Sequence, residues 1–166
     1  MKKTLIIVAM FIGVLLCAVG YADSQYRTSI GKQAPALWLP AQDNRAPETS
    51  LADQAGKYVM LNFWKSTDAA SRQAANEYTA WQRANPCKGL TLLSVNLDDS
   101  QELFGEIMRR DSLIGSTQYH LGGDTARAVI DSYGLDKGLG SVLIDPSGKI
   151  VAHNPTQTEL SNYFGQ

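Results

Sequence analysis

The stretch Tyr58-Val59-Met60-Leu61-Asn62-Phe63-Trp64-Lys65-Ser66-Thr67-Asp68-Ala69-Ala70-Ser71-Arg72 decides the fold, because an almost unbroken apolar run passes straight into a polar turn and an alanine-rich segment. Such a run of strand formers is the pattern of a central strand covered on both faces. Ser66, Thr67 and Asp68 then offer side-chain oxygens to the orphan N–H groups of a helix start. The spacing predicts a helix from about Ala69 to Ala84, with Ala70, Ala74, Tyr78 and Trp81 on one apolar stripe. Asn85-Pro86 ends it. A strand that runs into a helix N-terminus is a common place for reactive groups.

Outward from this unit, Leu90–Leu97 reads as a second strand, parallel to the first because a helix joins them. Upstream, Ala36–Leu39 lies between Pro35 and Pro40 and precedes a polar loop from Gln42 to Pro47, which predicts an edge strand or hairpin. Downstream, Asp98-Asp99-Ser100 caps a helix burying Leu103, Phe104, Ile107 and Met108, and Tyr119–Leu121 reads as a short strand. Asp124 is placed to cap a helix burying Ala126, Val129, Ile130 and Tyr133, with Gly134 ending it. Ser141–Ile144 and Ile150–His153 flank the turn Asp145-Pro146-Ser147-Gly148-Lys149 as a hairpin, before a last helix with Leu160, Tyr163 and Phe164. The sum is an α/β fold: a central mixed sheet flanked by helices, with an N-terminal β-hairpin extension.

Within 166 residues, 44% hydrophobic and 19% charged, one domain is expected, here at 33–166. Residues 1–22 read as a signal peptide: Lys2-Lys3, an apolar run from Leu5 to Val19, then Gly20-Tyr21-Ala22 with small residues at the cleavage positions. An uncleaved membrane anchor is the alternative, although the run is short of the roughly 20 apolar residues a span needs. Cys17 follows Leu15-Leu16 rather than a small residue, which argues against lipid attachment. Residues 23–32 are polar and unpatterned, and are expected to form a flexible leader. The signal carries two lysines and no acids, so 13 basic side chains face 16 acidic ones in the remainder. That mild acidity argues against a nucleic-acid partner and leaves membrane association to the signal or anchor. Once Cys17 leaves with the signal, Cys87 is alone, and no intrachain disulfide is possible.

Leu61-Asn62-Phe63-Trp64, then Tyr133-Gly134-Leu135, then Leu143-Ile144-Asp145-Pro146-Ser147-Gly148-Lys149-Ile150-Val151 resemble, in order and separation, the thioredoxin-like proteins of the TlpA/ResA and AhpC/TSA-related group. The resemblance runs from about Ile30 to the C-terminus and implies a thioredoxin-like fold, thiol-disulfide chemistry, no cofactor and a place in the periplasm or outside the cell. In active members, Phe-Trp ends the strand and a Trp-Cys-x-x-Cys motif opens the helix. Laid over this chain, that pattern puts Thr67 at the tryptophan and Asp68 and Ser71 at the two cysteines. The family's cis-proline position falls on Leu139, where a cis bond would cost ~3 kcal/mol, so a trans or rearranged loop is expected. The Pro-x-x-x-Thr-x-x-Cys setting of a peroxidatic cysteine is absent from the first strand–helix junction.

Disulfide exchange needs an attacking thiolate and a resolving thiol, and neither Asp68 nor Ser71 supplies one. Asp68 is expected to cap the helix and hold a negative charge at its N-terminus, and Ser71 to be a polar residue of the first turn with no neighbouring histidine to activate it. Trp64, Ser66, Thr67, Asp68 and Leu139 are the candidate binding residues; Trp64, like Trp38 and Trp81, fits core or edge packing, and as a binding residue it would line a surface groove. Cys87, far from the helix start, is expected to be an idle thiol. His120 and His153 stand alone, without ligands at metal spacing. Two functions follow as expectations. The first is a non-catalytic module binding an envelope protein or peptide; the second is a divergent envelope oxidoreductase working through Cys87 or an active partner.

Overall fold

In a computed structural model describing residues 28–42, 46–86, 89–113 and 117–164, Tyr58–Trp64 forms strand β3, with six of its seven residues buried. Upstream, β1 (Trp38–Leu39) and β2 (Thr49–Ser50) make the antiparallel N-terminal hairpin. β3 pairs in parallel with β4 (Leu90–Asn96) along its whole length, from Tyr58 opposite Leu90 to Trp64 opposite Asn96. Its other edge pairs antiparallel with β6 (Ser141–Ile144). Parallel strands need a crossover, and α1 (Ala69–Ala84) supplies it between β3 and β4. With β5 (Gln118–His120) outside β4 and β7 (Ile150–His153) outside β6, the described strands form a mixed sheet of order β5-β4-β3-β6-β7.

Successive side chains of a strand point to opposite faces, and β3 sorts accordingly. Val59, Leu61 and Phe63 join Leu37 and Leu39 of the hairpin region and Val129 and Tyr133 of α3 (Gly123–Tyr133) in one core. On the other face, Met60 packs with Tyr78 and Trp81 of α1 and Leu160 of α4 (Gln157–Phe164). Trp64 packs there too, with Ala75 of α1 and Phe104, Ile107 and Met108 of α2 (Gln101–Arg110). Helices on both faces of a central mixed sheet are the expected architecture.

The expected stripe on α1 holds at Tyr78 and Trp81, which are buried, and at Ala74, which packs against them, but Ala70 is exposed and Ser71, Ala75 and Thr79 are buried, so the covered face is turned. The cause lies in the sheet, where one buried rung is polar: Ser141, Asn62, Ser94 and Gln118 are neighbours across β6, β3, β4 and β5. Buried polar groups need partners, and α1 turns Tyr78 and Thr79 toward them. Ser141 Oγ donates to the Tyr78 hydroxyl at 3.1 Å and Gln118 Nε2 donates to Thr79 Oγ1 at 3.2 Å.

Two smaller differences concern α3 and the N-terminal segment. The α3 N-cap is Gly122, and Asp124 sits in the first turn, where it accepts from Arg127 Nη1 at 2.6 Å; Gly134, at φ 65°, ends the helix as expected. Residues 28–32, the end of the stretch read as a leader, are tied to β7: the Gly31 N–H donates to Ile150 O at 2.7 Å and the Ile150 N–H to Lys32 O at 2.9 Å. Residues 1–27, and with them the signal, lie outside the described residues. No described helix is long and apolar enough to cross a membrane.

Leu143 of β6 is fully buried beside Met60 and Leu160. Leu143→Ala is expected to cost about 2–5 kcal/mol, the range for truncating a buried leucine. Urea denaturation checks this.

Candidate functional site

Because β4 and β5 run with β3 and β6 runs against it, the ends of β3, β4 and β5 and the start of β6 meet at one edge of the sheet. Here the chain passes from β3 to α1 through Lys65–Asp68. Asp68 is the N-cap: its extended backbone (φ −98°, ψ 105°) precedes the helix, and Oδ1 accepts the Ser71 N–H at 2.7 Å. That backbone hydrogen bond favours the ionised carboxyl and is the main reason its pKa lies below the ordinary 3.8. The buried Ser71 hydroxyl accepts the Lys65 N–H at 3.2 Å and donates to Asp68 O at 3.2 Å. Both side chains therefore serve the turn itself. The carboxyl of Asp68 and the side chain of Thr67 remain exposed.

Ser66 is buried and held by a residue the sequence did not nominate. Its hydroxyl donates to Asp98 Oδ2 at 2.5 Å, and its N–H lies 3.2 and 3.1 Å from the two carboxylate oxygens. Asn96 Nδ2 donates to the same Oδ2 at 2.8 Å, and His120 Nε2 meets Asp98 O at 2.9 Å. The ends of β3, β4 and β5 are thus joined through Asp98. In sequence, Asp98-Asp99-Ser100 shows only three possible caps; the structure gives the cap to Ser100, which accepts the Leu103 N–H at 3.1 Å. Its only local signal was a surplus of acceptors.

Trp64 does not line a groove. It is 0% exposed and packs on Phe104, with ring centroids 6.0 Å apart, so its assignment as a binding residue is corrected: it supports the turn from beneath. Leu139 is half-buried, and the loop around it lies against the end of β3, where the Phe63 N–H donates to Gly140 O at 3.0 Å. Among the described residues no peptide bond is cis, so this loop is trans. Behind it lies a cavity of about 320 Å³ whose lining includes Phe63, Tyr133, Leu139 and His153. Asn154 Oδ1 accepts the Ser141 N–H at 2.7 Å, and a Cβ on Gly140 would stand 2.8 Å from that oxygen. The structure thus brings Ser66, Thr67, Asp68 and Ser71 together on one turn, with the Leu139 loop on the neighbouring strand. Cys87 lies outside the described residues. Among the described residues, no cluster of metal-binding side chains occurs.

A sheet of this order, with the β3–α1 turn and the 138–140 loop at one edge, defines a thioredoxin-like protein. The sequence model of the AhpC/TSA family matches residues 30–153, and the chain belongs to that family. It is 28% identical to the thiol-disulfide oxidoreductase ResA of Bacillus subtilis, over 90% of this chain and 84% of that protein. The fold superimposes on the thioredoxin domain of a thiol-disulfide oxidoreductase from Bacteroides vulgatus with a TM-score of 0.69 and 29% identity, covering 81% of this chain and 94% of that one. A thiol:disulfide interchange protein from Bacteroides sp. gives a TM-score of 0.72 at 25% identity, covering 83% and 91%.

Two predictions follow from the geometry. Asp68→Ala is expected to cost about 1 kcal/mol at neutral pH, the usual worth of an N-cap. Because the folded pKa lies below the unfolded one, this contribution is complete above pH 3.8 and is lost as pH falls through the folded value. Denaturation of both proteins across that range checks it, and a pH-independent difference contradicts it. Gly140→Ala is expected to displace Asn154 Oδ1 and cost about 1–2 kcal/mol, as is Asn154→Ala. Since both break one hydrogen bond, the double variant should cost less than the sum.

Proposed function

We propose that this chain is a thioredoxin-fold protein of the bacterial cell envelope that does not catalyse thiol-disulfide exchange and instead binds a protein or peptide non-covalently at the β3–α1 edge. One observation carries the reading: at the two positions where the family resemblance places cysteines, the chain has Asp68 and Ser71, and their oxygens cap and close the helix start. Exchange breaks one S–S bond by forming another, and a carboxylate or hydroxyl oxygen offers no sulfur to that step. What remains is a rigid turn presenting Thr67 and the Asp68 carboxylate to solvent, next to the Leu139 loop. The envelope location rests on the signal-like first 22 residues.

Insulin reduction with dithiothreitol as electron source tests it. The protein is expected to leave the uncatalysed rate unchanged, whereas catalysed turnover by any group of the chain overturns the proposal. Capture from envelope extracts supplies the second arm: a partner held through this edge is retained in reductant and lost on Asp68→Arg, and retention that depends on a disulfide contradicts the reading.

A further inference from the structure

The opposite edge of the sheet carries a second concavity, of about 570 Å³, between the segment before β1, the 52–57 turn and the Asp145–Gly148 turn. Its apolar walls include Leu37, Leu51, Val59, Ile144 and Pro146, and Trp38 stands at its rim 52% exposed. Val59 is the second residue of β3 and Ile144 the last of β6, so this hollow and the β3–α1 turn are separated by the length of the sheet.

Its polar side chains are almost all committed to the fold. Gln33 Nε2 donates to Ser147 O; Gln54 bonds Thr49 through Nε2 and Thr91 through Oε1; Ser50 Oγ donates to Asp53. Asp145 Oδ1 accepts from the Ser147 N–H, the Ser147 hydroxyl and the Lys149 N–H, and the Lys149 charge also faces this carboxyl. The Lys57 ammonium, by contrast, has no hydrogen-bond or ion-pair partner among the described residues. The hollow therefore offers apolar walls, an aromatic surface and one uncompensated positive charge.

We infer that this hollow is a binding site for a small amphipathic anion, with a flat apolar body against Trp38 and Leu51 and an acidic group toward Lys57. Its volume lies in the range of small-molecule sites, roughly 300–1,000 Å³, and its lining, mostly apolar with one orienting polar group, is of the same kind. The site is distinct from the β3–α1 edge and does not depend on the function proposed there.

The test is titration of isotope-labelled protein with naphthoate and, separately, with the neutral naphthalenemethanol, following backbone amide shifts. Saturable shifts confined to residues 33–38, 51–57 and 144–148 are expected. Naphthoate should bind about 2- to 5-fold tighter than the alcohol, the worth of one exposed ion pair. Lys57→Gln should remove that preference and leave the alcohol's affinity unchanged, while Trp38→Ala weakens both ligands. Each substitution changes an exposed side chain, and the amide spectrum itself reports whether the fold is intact. Absence of saturable shifts, shifts located elsewhere, or a preference for the anion that survives Lys57→Gln overturns the inference.

Discussion

The rest of the structure depends on the burial of β3. One of its edges is paired along its whole length and the other from Val59 to Asn62, both of its faces are covered, and six of its seven residues are buried. The constraint passes to its end, where backbone polar groups leave the sheet in a crowded place and must find partners before the helix begins. Ser66 finds Asp98, the Lys65 N–H finds Ser71, and the Ser71 N–H finds Asp68. A turn with this many partners has little freedom. Rigidity at the candidate site is therefore a consequence of solving the hydrogen bonds of a buried strand.

The same accounting explains how α1 lies on the sheet. An alanine stripe would have seated the helix equally well on an apolar surface, but the sheet beneath it carries the rung Ser141–Asn62–Ser94–Gln118. Tyr78 and Thr79 answer the two ends of that rung, Ser141 Oγ and Gln118 Nε2, while Asn62 Nδ2 bonds Ser94 Oγ at 3.3 Å within it and Asn62 Oδ1 and Gln118 Oε1 have no partner among the described residues; the Tyr78 hydroxyl continues to Pro155 O at 2.9 Å. Leaving such groups buried without partners costs about 1–3 kcal/mol each, more than the gain from tucking Ala70 inward. Arg72 and Asp111 then bind the start of α1 to the end of α2, with Nη2–Oδ1 at 2.6 Å.

These details mark the boundary of what could be read from the chain. β3, α1, the β6–β7 hairpin and the Gly134 stop were legible because their signals are local: an apolar run, a cap, a Pro-Gly turn, a glycine at positive φ. The cap role of Asp68 was legible for the same reason. The choice between packing and groove for Trp64 was not legible, because the residues that follow it in sequence are polar, while its neighbours in space, Phe104, Ile107 and Met108, come from a helix some forty residues on. Asp98 was missed because its partner Ser66 is 32 residues away, and nothing in the spacing of two polar residues announces a hydrogen bond across strands. The stripe on α1 held at Ala74, Tyr78 and Trp81 and failed at Ala70, since helix periodicity fixes which residues share a face, whereas its rotation is set by what that face meets.

The chemistry of the β3–α1 edge follows from the same hydrogen bonds. A sulfur placed at residue 68 could act as a nucleophile only while its charge remained available to a substrate, and the helix N-terminus would favour that charge without holding it in one place. A carboxylate has two oxygens: at Asp68 one oxygen completes the helix at 2.7 Å from Ser71 N, and the carboxyl also presents negative charge at an exposed position. Capping and recognition can therefore coexist in this side chain. The Ser71 hydroxyl both accepts and donates within the turn. The edge keeps the position and rigidity of a thioredoxin-like site, and its electrostatics are those of a fixed acid on a closed turn.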